Sequence, residues 1–438
     1  MKIDDNLRYP TCPSDIKIYS QQETFVLLRP STPTWVTVTR EGLSLLTLCT
    51  GELTVKEIAD TMGVDSELVE THVKFLSDQG ILGENEEADN PLQEELYNIW
   101  LHVTNACNLR CMFCYQSSGE PYPQELTLEE ITGFLSQARA FKPQKGSQTI
   151  ILTGGEPLMR PDLWPICQRG SELGFKVSLL TNGTLISDNI AQEIKTHMER
   201  VQVSLDGMQK SNDMIRGEGS FQRTVAGIST LLDAGVMPSV AIVATRLNLQ
   251  EIPELLQFLR EKGITQVQVR PVMYRGRGSA NQPQLALSNN EYESLITRIY
   301  EEGYDSNPDL LSIERFAGDI KASTRNARGC SAGWYAVSIA ATGEVYPCIA
   351  GHIPEFEFGS IRAQPFETIW KSTGRLREWR SFDVNMSPRC GDCEWRNFCG
   401  GGCKVNAFLQ YGRIDGGDYY CEAFKHLYRY TLLQEGGL

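Results

Sequence analysis

Apolar and polar positions alternate with different rhythms in three parts of the chain. Over residues 1–90, short runs of strand character (Ile16–Ser20, Phe25–Leu28, Trp35–Val38) precede three helical patterns. The first helix is expected to start near Glu41 and to stop before Gly51. The second opens on the capping box Thr54-x-x-Glu57 and ends at Gly63. Asp65 caps the third, in which Leu68, Val69, Val73 and Leu76 recur at helical spacing up to Gly80. With Ile81–Gly83 as the start of a wing, a hairpin followed by a helix-turn-helix predicts a small winged-helix domain. The acidic run Glu84–Asp89, followed by Pro91, reads as a linker.

Residues 99–275 alternate strand and helix. The runs Ile99–Val103, Ile150–Leu152, Val177–Leu180, Val201–Ser204, Val240–Ala244 and Val267–Val269 are β-branched. Between them lie helical patterns such as Thr127–Phe141, with the capping box Thr127-x-x-Glu130, Ser187–Thr196 and Leu249–Lys262. Repeated strand–helix units predict parallel pairing through right-handed crossovers, an α/β fold. Six units fall short of a closed eight-fold barrel, so an open, partial (β/α)6 barrel is expected over 99–300. Arg275–Gln284 reads as a loop leading to a bridging region, 301–329. From Cys330 to residue 438 the chain is rich in Gly and Cys and has little periodicity, as in a module held together by ligation.

Charge and cysteine content narrow the function. The net charge is −14, no run approaches the roughly 20 apolar residues of a membrane span, and the opening MKIDDNLRYP lacks the apolar core of a secretory signal. These features predict a cytoplasmic protein with neither nucleic acid nor membrane as partner. Thirteen cysteines is an odd number, and ten of them form tight groups after residue 100. In a reducing compartment such groups read as metal or redox sites. The five histidines (72, 102, 197, 352 and 426) all lie outside them, which implies all-thiolate ligation of iron–sulfur clusters or zinc. Cys12, Cys49 and Cys167 fit no pattern and read as small buried hydrophobes.

The first group, Cys107-Asn-Leu-Arg-Cys111-Met-Phe-Cys114, directly follows the first barrel strand. Three thiolates this close can hold three corners of a four-iron cluster and leave one iron open; a zinc site with a distant fourth ligand is the alternative. Gly154-Gly155-Glu156-Pro157 follows the second strand, where glycines permit close approach to the backbone and the carboxylate can take an ammonium group. Thr181-Asn182-Gly183, Ser204-Leu205-Asp206-Gly207 and Thr245-Arg246 follow later strands. All these polar sets gather at the carboxyl ends of the strands, where barrel enzymes build their active sites.

Together, the C-x3-C-x2-C spacing and GGEP resemble the radical S-adenosylmethionine (SAM) enzymes, over about Ile99 to Arg275. The resemblance implies that Cys107, Cys111 and Cys114 ligate a four-iron cluster whose fourth iron is chelated by SAM. It places Phe113 near the adenine, and Glu156 with the Gly154–Gly155 backbone at the amino group. Asn182, Ser204 and Asp206 match positions that meet the ribose or carboxylate, and Arg216 is a carboxylate partner. One-electron reduction by an external donor would then yield a 5′-deoxyadenosyl radical.

The later cysteines, Cys330, Cys348, Cys390-x2-Cys393-x5-Cys399-x3-Cys403 and Cys421, read alone as a zinc ribbon. In this order they resemble the SPASM extension of radical SAM enzymes, which implies two auxiliary iron–sulfur clusters and three in all. By that resemblance Cys390, Cys393, Cys399 and Cys421 form the distal cluster, and Cys330, Cys348 and Cys403 hold the inner one. Ala336 stands where some relatives carry a further cysteine. Ile349 stands where sulfatase-maturing relatives carry an aspartate base, which argues against that activity.

The N-terminal segment has two readings. Residues 1–90 carry 7 Lys+Arg against 16 Asp+Glu, which opposes DNA binding by a winged helix. The segment also resembles the PqqD-like peptide-recognition domain (RiPP recognition element), in which a leader peptide adds a strand to an exposed sheet edge. The function expected from these resemblances is radical modification of a ribosomally made precursor peptide bound through its leader. The alternatives are maturation of a protein- or peptide-derived quinone or metal cofactor and, from a different class, a DNA-binding iron–sulfur redox sensor.

Overall fold

The computed structural model describes residues 9–21, 24–83, 95–302, 330–372 and 374–436. The expected acidic linker, and nearly all of the expected bridging region, lie outside them. The chain divides into two compact units. The first comprises Met1–Pro91, Arg315–Cys330 and Asp383–Leu438; the second comprises Leu92–Glu314 and Ser331–Phe382.

In the first unit, β1 (Lys17–Gln21), β2 (Thr24–Arg29) and β3 (Thr34–Val38) form an antiparallel sheet in the order β1-β2-β3. Three helices follow: α1 (Arg40–Leu48), α2 (Val55–Met62) and α3 (Ser66–Asp78). Both arms of the Thr54–Glu57 capping box form, and Gly63 ends α2 in the left-handed region at φ 67°. Leu27, Leu45, Ile58, Val73 and Leu76 build the core. Ile81–Gly83 is a bend whose Ile81 and Leu82 enter that core, so the expected wing has no strand here. The last helix of the chain, Cys421–Gly436, packs against β1 and β2. Tyr19 stacks on Trp395 at 5.9 Å, Trp395 stacks on Tyr428 at 5.6 Å, and the Asn397 side-chain amide donates to Pro30 O at 3.0 Å.

The second unit is built on a nine-stranded sheet in the order β12-β11-β10-β4-β5-β6-β7-β8-β9. The strands β4 (Asn98–Thr104), β5 (Thr149–Gly154), β6 (Lys176–Thr181), β7 (Arg200–Ser204), β8 (Ser239–Ala244) and β9 (Val267–Pro271) coincide with the six β-branched runs. Each pairs in parallel with the next. Helices α4 (Leu128–Ala138), α5 (Leu163–Glu172), α6 (Asp188–His197), α7 (Gln209–Arg216), α8 (Ser220–Asp233) and α9 (Ile252–Glu261) make the crossovers. Gly170 of α5 lies against Ile150 and Val177, which identifies the helix-facing side of the sheet. Ile99, Leu101 and Val103 share that side, so His102 and Thr104 point to the inner side.

The sheet extends past the six predicted strands. The strand β10 (Ala336–Ile339) pairs in parallel with β4, and β11 (Glu344–Tyr346) and β12 (Gly359–Ser360) continue antiparallel. The segment just after Cys330 thus completes the barrel's sheet, while the segment from Asp383 onward belongs to the first unit. Among the described residues no helix is long and apolar enough to cross a membrane.

Candidate active site

The loop after β4 carries Cys107, Cys111 and Cys114, and its backbone is fixed from several directions. Cys107 N–H donates to Gly119 O (2.8 Å) and Met112 N–H to Ile215 O (2.9 Å). Arg277 binds three of the loop's carbonyls: its Nε reaches Cys111 O (2.8 Å), its Nη1 reaches Ser118 O (3.0 Å), and its backbone N–H reaches Cys114 O (3.0 Å). The Asn281 side-chain amide donates to Met112 O at 2.9 Å. Arg277 and Asn281 lie in the segment read from sequence as a mere loop. Burial pushes the Cys111 thiol up to about 11, with Arg216 opposing and Asp206, Cys114 and Cys107 adding to the rise.

The GGEP turn is zipped onto the strand that leads into this loop. Gly155 N–H donates to Thr104 O (2.8 Å) and Glu156 N–H to Ala106 O (2.7 Å). A Cβ on Gly154 would overlap the Thr104 carbonyl, and one on Gly155 the Ala106 carbonyl. Both glycines therefore serve the approach of the chain's own backbone. Glu156 is fully buried and accepts from Thr181 Oγ1 (2.8 Å), Leu158 N–H (3.1 Å) and Asn182 N–H (2.8 Å). Burial raises its pKa against those hydrogen bonds and the Arg216 charge. The Asn182 side chain donates to Asn108 Oδ1 at 2.9 Å, tying the end of β6 to the cysteine loop.

A second chain of contacts runs through Arg216, at the end of α7. Its Nε pairs with Asp206, its Nη1 lies 3.9 Å from Cys111 Sγ, and its guanidinium sits 5.3 Å from the Phe113 ring centre. Burial alone would lower the Arg216 pKa, but Asp206 and the thiols of Cys111 and Cys107 outweigh it and hold the charge. The other oxygen of Asp206 accepts Val243 N–H at 2.8 Å. The structure thus joins Cys111, Phe113, Arg216 and Asp206 in one group and Glu156, Asn182 and Asn108 in another. Ser204 is half-buried at the end of β7. The carboxylates of Glu156 and Asp206 both spend their oxygens inside the protein.

The sequence reading passed over an inner-face cluster of His102, Gln116, Ser338 and His352. The signal was present, since His102 interrupts an apolar strand at an inward position.

In the first unit, Cys390, Cys393, Cys399 and Cys421 line one cavity with Trp395, Lys425 and Tyr428. Burial pushes the Cys421 thiol up to about 11, with Lys425 opposing, and it raises Cys399 further. Among the described residues no three His, Cys, Asp or Glu groups converge tightly enough for a single metal ion. Four thiols spread around one cavity suit a cluster several ångström across better than one zinc. Cys330 and Cys403 belong to the first unit and Cys348 to the second. Burial lowers Lys404 to about 8, and Cys330 and Cys403 oppose that shift, so these two thiols flank the same ammonium. Ala336 is the fully buried first residue of β10.

Residues 101–259 match the family model of the radical SAM superfamily, and residues 330–394 match that of an iron–sulfur cluster-binding domain, SPASM. An AdoMet-dependent heme synthase of Methanosarcina barkeri is 30% identical, covering 73% of this chain and 94% of its own. A PqqA peptide cyclase of Rhizobium meliloti is 27% identical, covering 73% of this chain and 85% of its own. In fold, the chain is similar to Streptococcus suis SuiB bound to precursor peptide SuiA. That match has a TM-score of 0.62 at 17% identity and covers 94% of this chain and all of the other. The cysteine loop, the turn zipped beside it and these likenesses lead to one assignment: the chain is a radical SAM enzyme carrying a SPASM iron–sulfur domain.

Proposed function

We infer that this enzyme modifies a ribosomally made precursor peptide in the cytoplasm and that its N-terminal sheet and helices hold the leader. The observation that carries this reading is β3. Among the described residues it is an edge strand, paired on one side only, with β2. A strand with one side of its backbone unpaired is the arrangement to which an extended peptide adds as a further strand. Coverage supports it: the likeness to SuiB, a structure with a precursor peptide bound, spans 94% of this chain, N-terminal unit included.

Three iron–sulfur clusters are assigned. Cys107, Cys111 and Cys114 hold the radical cluster; Cys390, Cys393, Cys399 and Cys421 the distal one; Cys330, Cys348 and Cys403 the inner one. When bound, the radical cluster and SAM would supply, with one electron from an external donor, the radical chemistry that removes a substrate hydrogen atom. The chain's part is to hold that chemistry in place. Arg216, with its charge secured by Asp206, offers a cation beside Phe113, and Glu156 and Asn182 lock the turn against the loop.

A second reading, a heme precursor as substrate, is favoured by the 30% identity to heme synthase. The two are separated by offering anaerobically reconstituted enzyme, SAM and dithionite two substrates. One is a precursor peptide, taken from any short reading frame found beside the gene; the other is iron coproporphyrin III. A mass change in the peptide that is lost on deleting residues 1–88 is expected. Turnover of the porphyrin alone overturns the peptide reading.

A further inference from the structure

Two of the three cysteines outside the clustered groups meet in the first unit. Residues 10–12 run antiparallel to the chain that leaves α1, with Thr11 opposite Thr50. Cys12 N–H donates to Cys49 O at 2.7 Å and Gly51 N–H to Pro10 O at 2.9 Å, which fixes the register. Cys12 therefore stands directly across from Cys49. Thr11 and Thr50 are exposed, whereas Cys49 belongs to the N-terminal core and Cys12 packs against that same core. Side chains alternate across such a pair, so both thiols lie on its inner side. The pairing is one-sided, because Cys49 N–H turns back to Leu46 O at 3.2 Å to end the helix.

Directly opposed residues of an antiparallel pair keep their Cα atoms about 4.5–5.5 Å apart, inside the roughly 4.4–6.8 Å window that a disulfide spans. Each sulfur faces a carbonyl: Cys12 Sγ lies 3.6 Å from Pro13 O and Cys49 Sγ 3.3 Å from Leu45 O. Rotation about χ1 is what turns them towards each other. Cys12 is half-buried, and the Arg29 charge opposes the rise that burial, with Asp15 adding, gives its pKa. Cys49 lies deeper, at 2% exposure, and burial with Cys12 adding pushes its thiol up to about 12. A raised thiol pKa slows exchange without fixing its end point.

We propose that Cys12 and Cys49 form a modification site, a thiol pair that closes to an intrachain disulfide by exchange with a low-molecular-weight disulfide. The Cys12 thiolate attacks one sulfur of R–S–S–R and expels R–S⁻. Cys49, its proton lost to water, then attacks the Cys12 sulfur of the mixed disulfide and expels the second R–S⁻. Both leaving thiolates take up protons. Two protein thiols are thus oxidised by two electrons, and the small disulfide is reduced to two thiols. The loop closed in this way encloses β1, β2, β3 and α1, so the bond latches the whole N-terminal sheet. In a reducing compartment such a bond is a reversible, redox-sensing one. The latch is independent of what the sheet binds.

Reconstituted full-length enzyme is equilibrated anaerobically in glutathione buffers from fully reduced to fully oxidised. Samples are quenched with acid, alkylated, digested and sequenced by mass spectrometry. A peptide linking Cys12 to Cys49 is expected in at least half of the chains in oxidised glutathione, and dithiothreitol should remove it. Both cysteines alkylated throughout, glutathione retained on Cys12 with Cys49 free, or linkage of either to another cysteine overturns the assignment. This measurement uses the wild-type chain and does not depend on how any variant folds. Amide exchange then tests the latch: it should slow at least ~10-fold in β1, β2 and β3 of the linked wild type. Cys12→Ala should exchange equally in both buffers. A linked chain with no slowing, or equal slowing in Cys12→Ala, overturns the latch.

Discussion

The two cysteine groups that lie wholly within one unit are built in opposite ways. In the second unit, the loop with Cys107, Cys111 and Cys114 is fixed by hydrogen bonds to its backbone from Gly119, Ile215, Arg277 and Asn281. Its thiols are placed by a barrel that has its own core. In the first unit, Cys390 and Cys393 lie in a turn-rich segment, Cys399 ends a four-residue helix followed by three consecutive positive-φ glycines, 400 to 402, and Cys421 opens the last helix. There the thiols line a cavity walled by Trp395, Phe424 and Tyr428. On the assignment proposed above, ligation would add chemistry to a hydrogen-bonded loop in one place and tie short segments to the last helix in the other. The N-terminal sheet touches the second kind, because Tyr19 stacks on Trp395 beside that cavity.

Four experiments break or sharpen this contrast. The largest effect is expected from replacing Cys107, Cys111 and Cys114 together by alanine. SAM cleavage to 5′-deoxyadenosine, followed by chromatography under dithionite, should fall at least ~1000-fold, with the apparent Tm changed by only a few degrees. A collapse of Tm would mean that the barrel also depends on ligation.

Cys399→Ala combined with Cys421→Ala should act the other way round. The apparent Tm should drop by about 10 °C or more, and amide exchange should rise in β1 and β2 as well as in the last helix. Unchanged exchange in β1 and β2 would detach the N-terminal sheet from the distal site.

Arg216→Met should destabilise the barrel by about 3–5 kcal/mol in denaturant titrations, because Asp206 is left buried and unpaired. The double variant Arg216→Met, Asp206→Leu should recover most of that loss while SAM binding remains weakened. Failure to recover would show that Arg216 supports the fold through Cys111 and Phe113 as well.

The smallest effect concerns pH. Burial lowers the pKa of His102 to about 3, and that of His352 well below its usual 6.5. Below pH 6.5 the unfolded chain therefore binds more protons than the folded one, and stability falls as the pH drops. The slope approaches about 1.4 kcal/mol per pH unit for each ring. Tm measured between pH 7 and pH 5 should fall less steeply in His102→Phe than in wild type.

Much of this architecture was legible from side-chain pattern. All six barrel strands and the Thr54 and Thr127 capping boxes appear where the sequence places them, because β-branched runs and cap residues act locally. The four-residue β10 was not legible: Ala336–Ile339 has no alternation of its own, and its place beside β4 is set by tertiary pairing. The split of the cysteine-rich region between two units has the same cause. Site partners were half legible. Cys111 and Arg216 were both named, but their meeting through Asp206 depends on how α7 packs. The His102–Gln116–His352 relay joins residues up to 250 positions apart and leaves no periodic trace.

The parallel pairing of β10 with β4 also shapes the order of folding. Asn98 meets Ala336 across roughly 240 residues, so the edge of the first barrel strand stays uncovered long after it leaves the ribosome. At about 5–20 residues per second, that wait is roughly ten to fifty seconds of synthesis. During that time the strand offers a row of unpaired amides and carbonyls to other nascent chains. Truncation between β9 and β10 should therefore yield an aggregation-prone barrel, and slow expression at low temperature should favour the native chain.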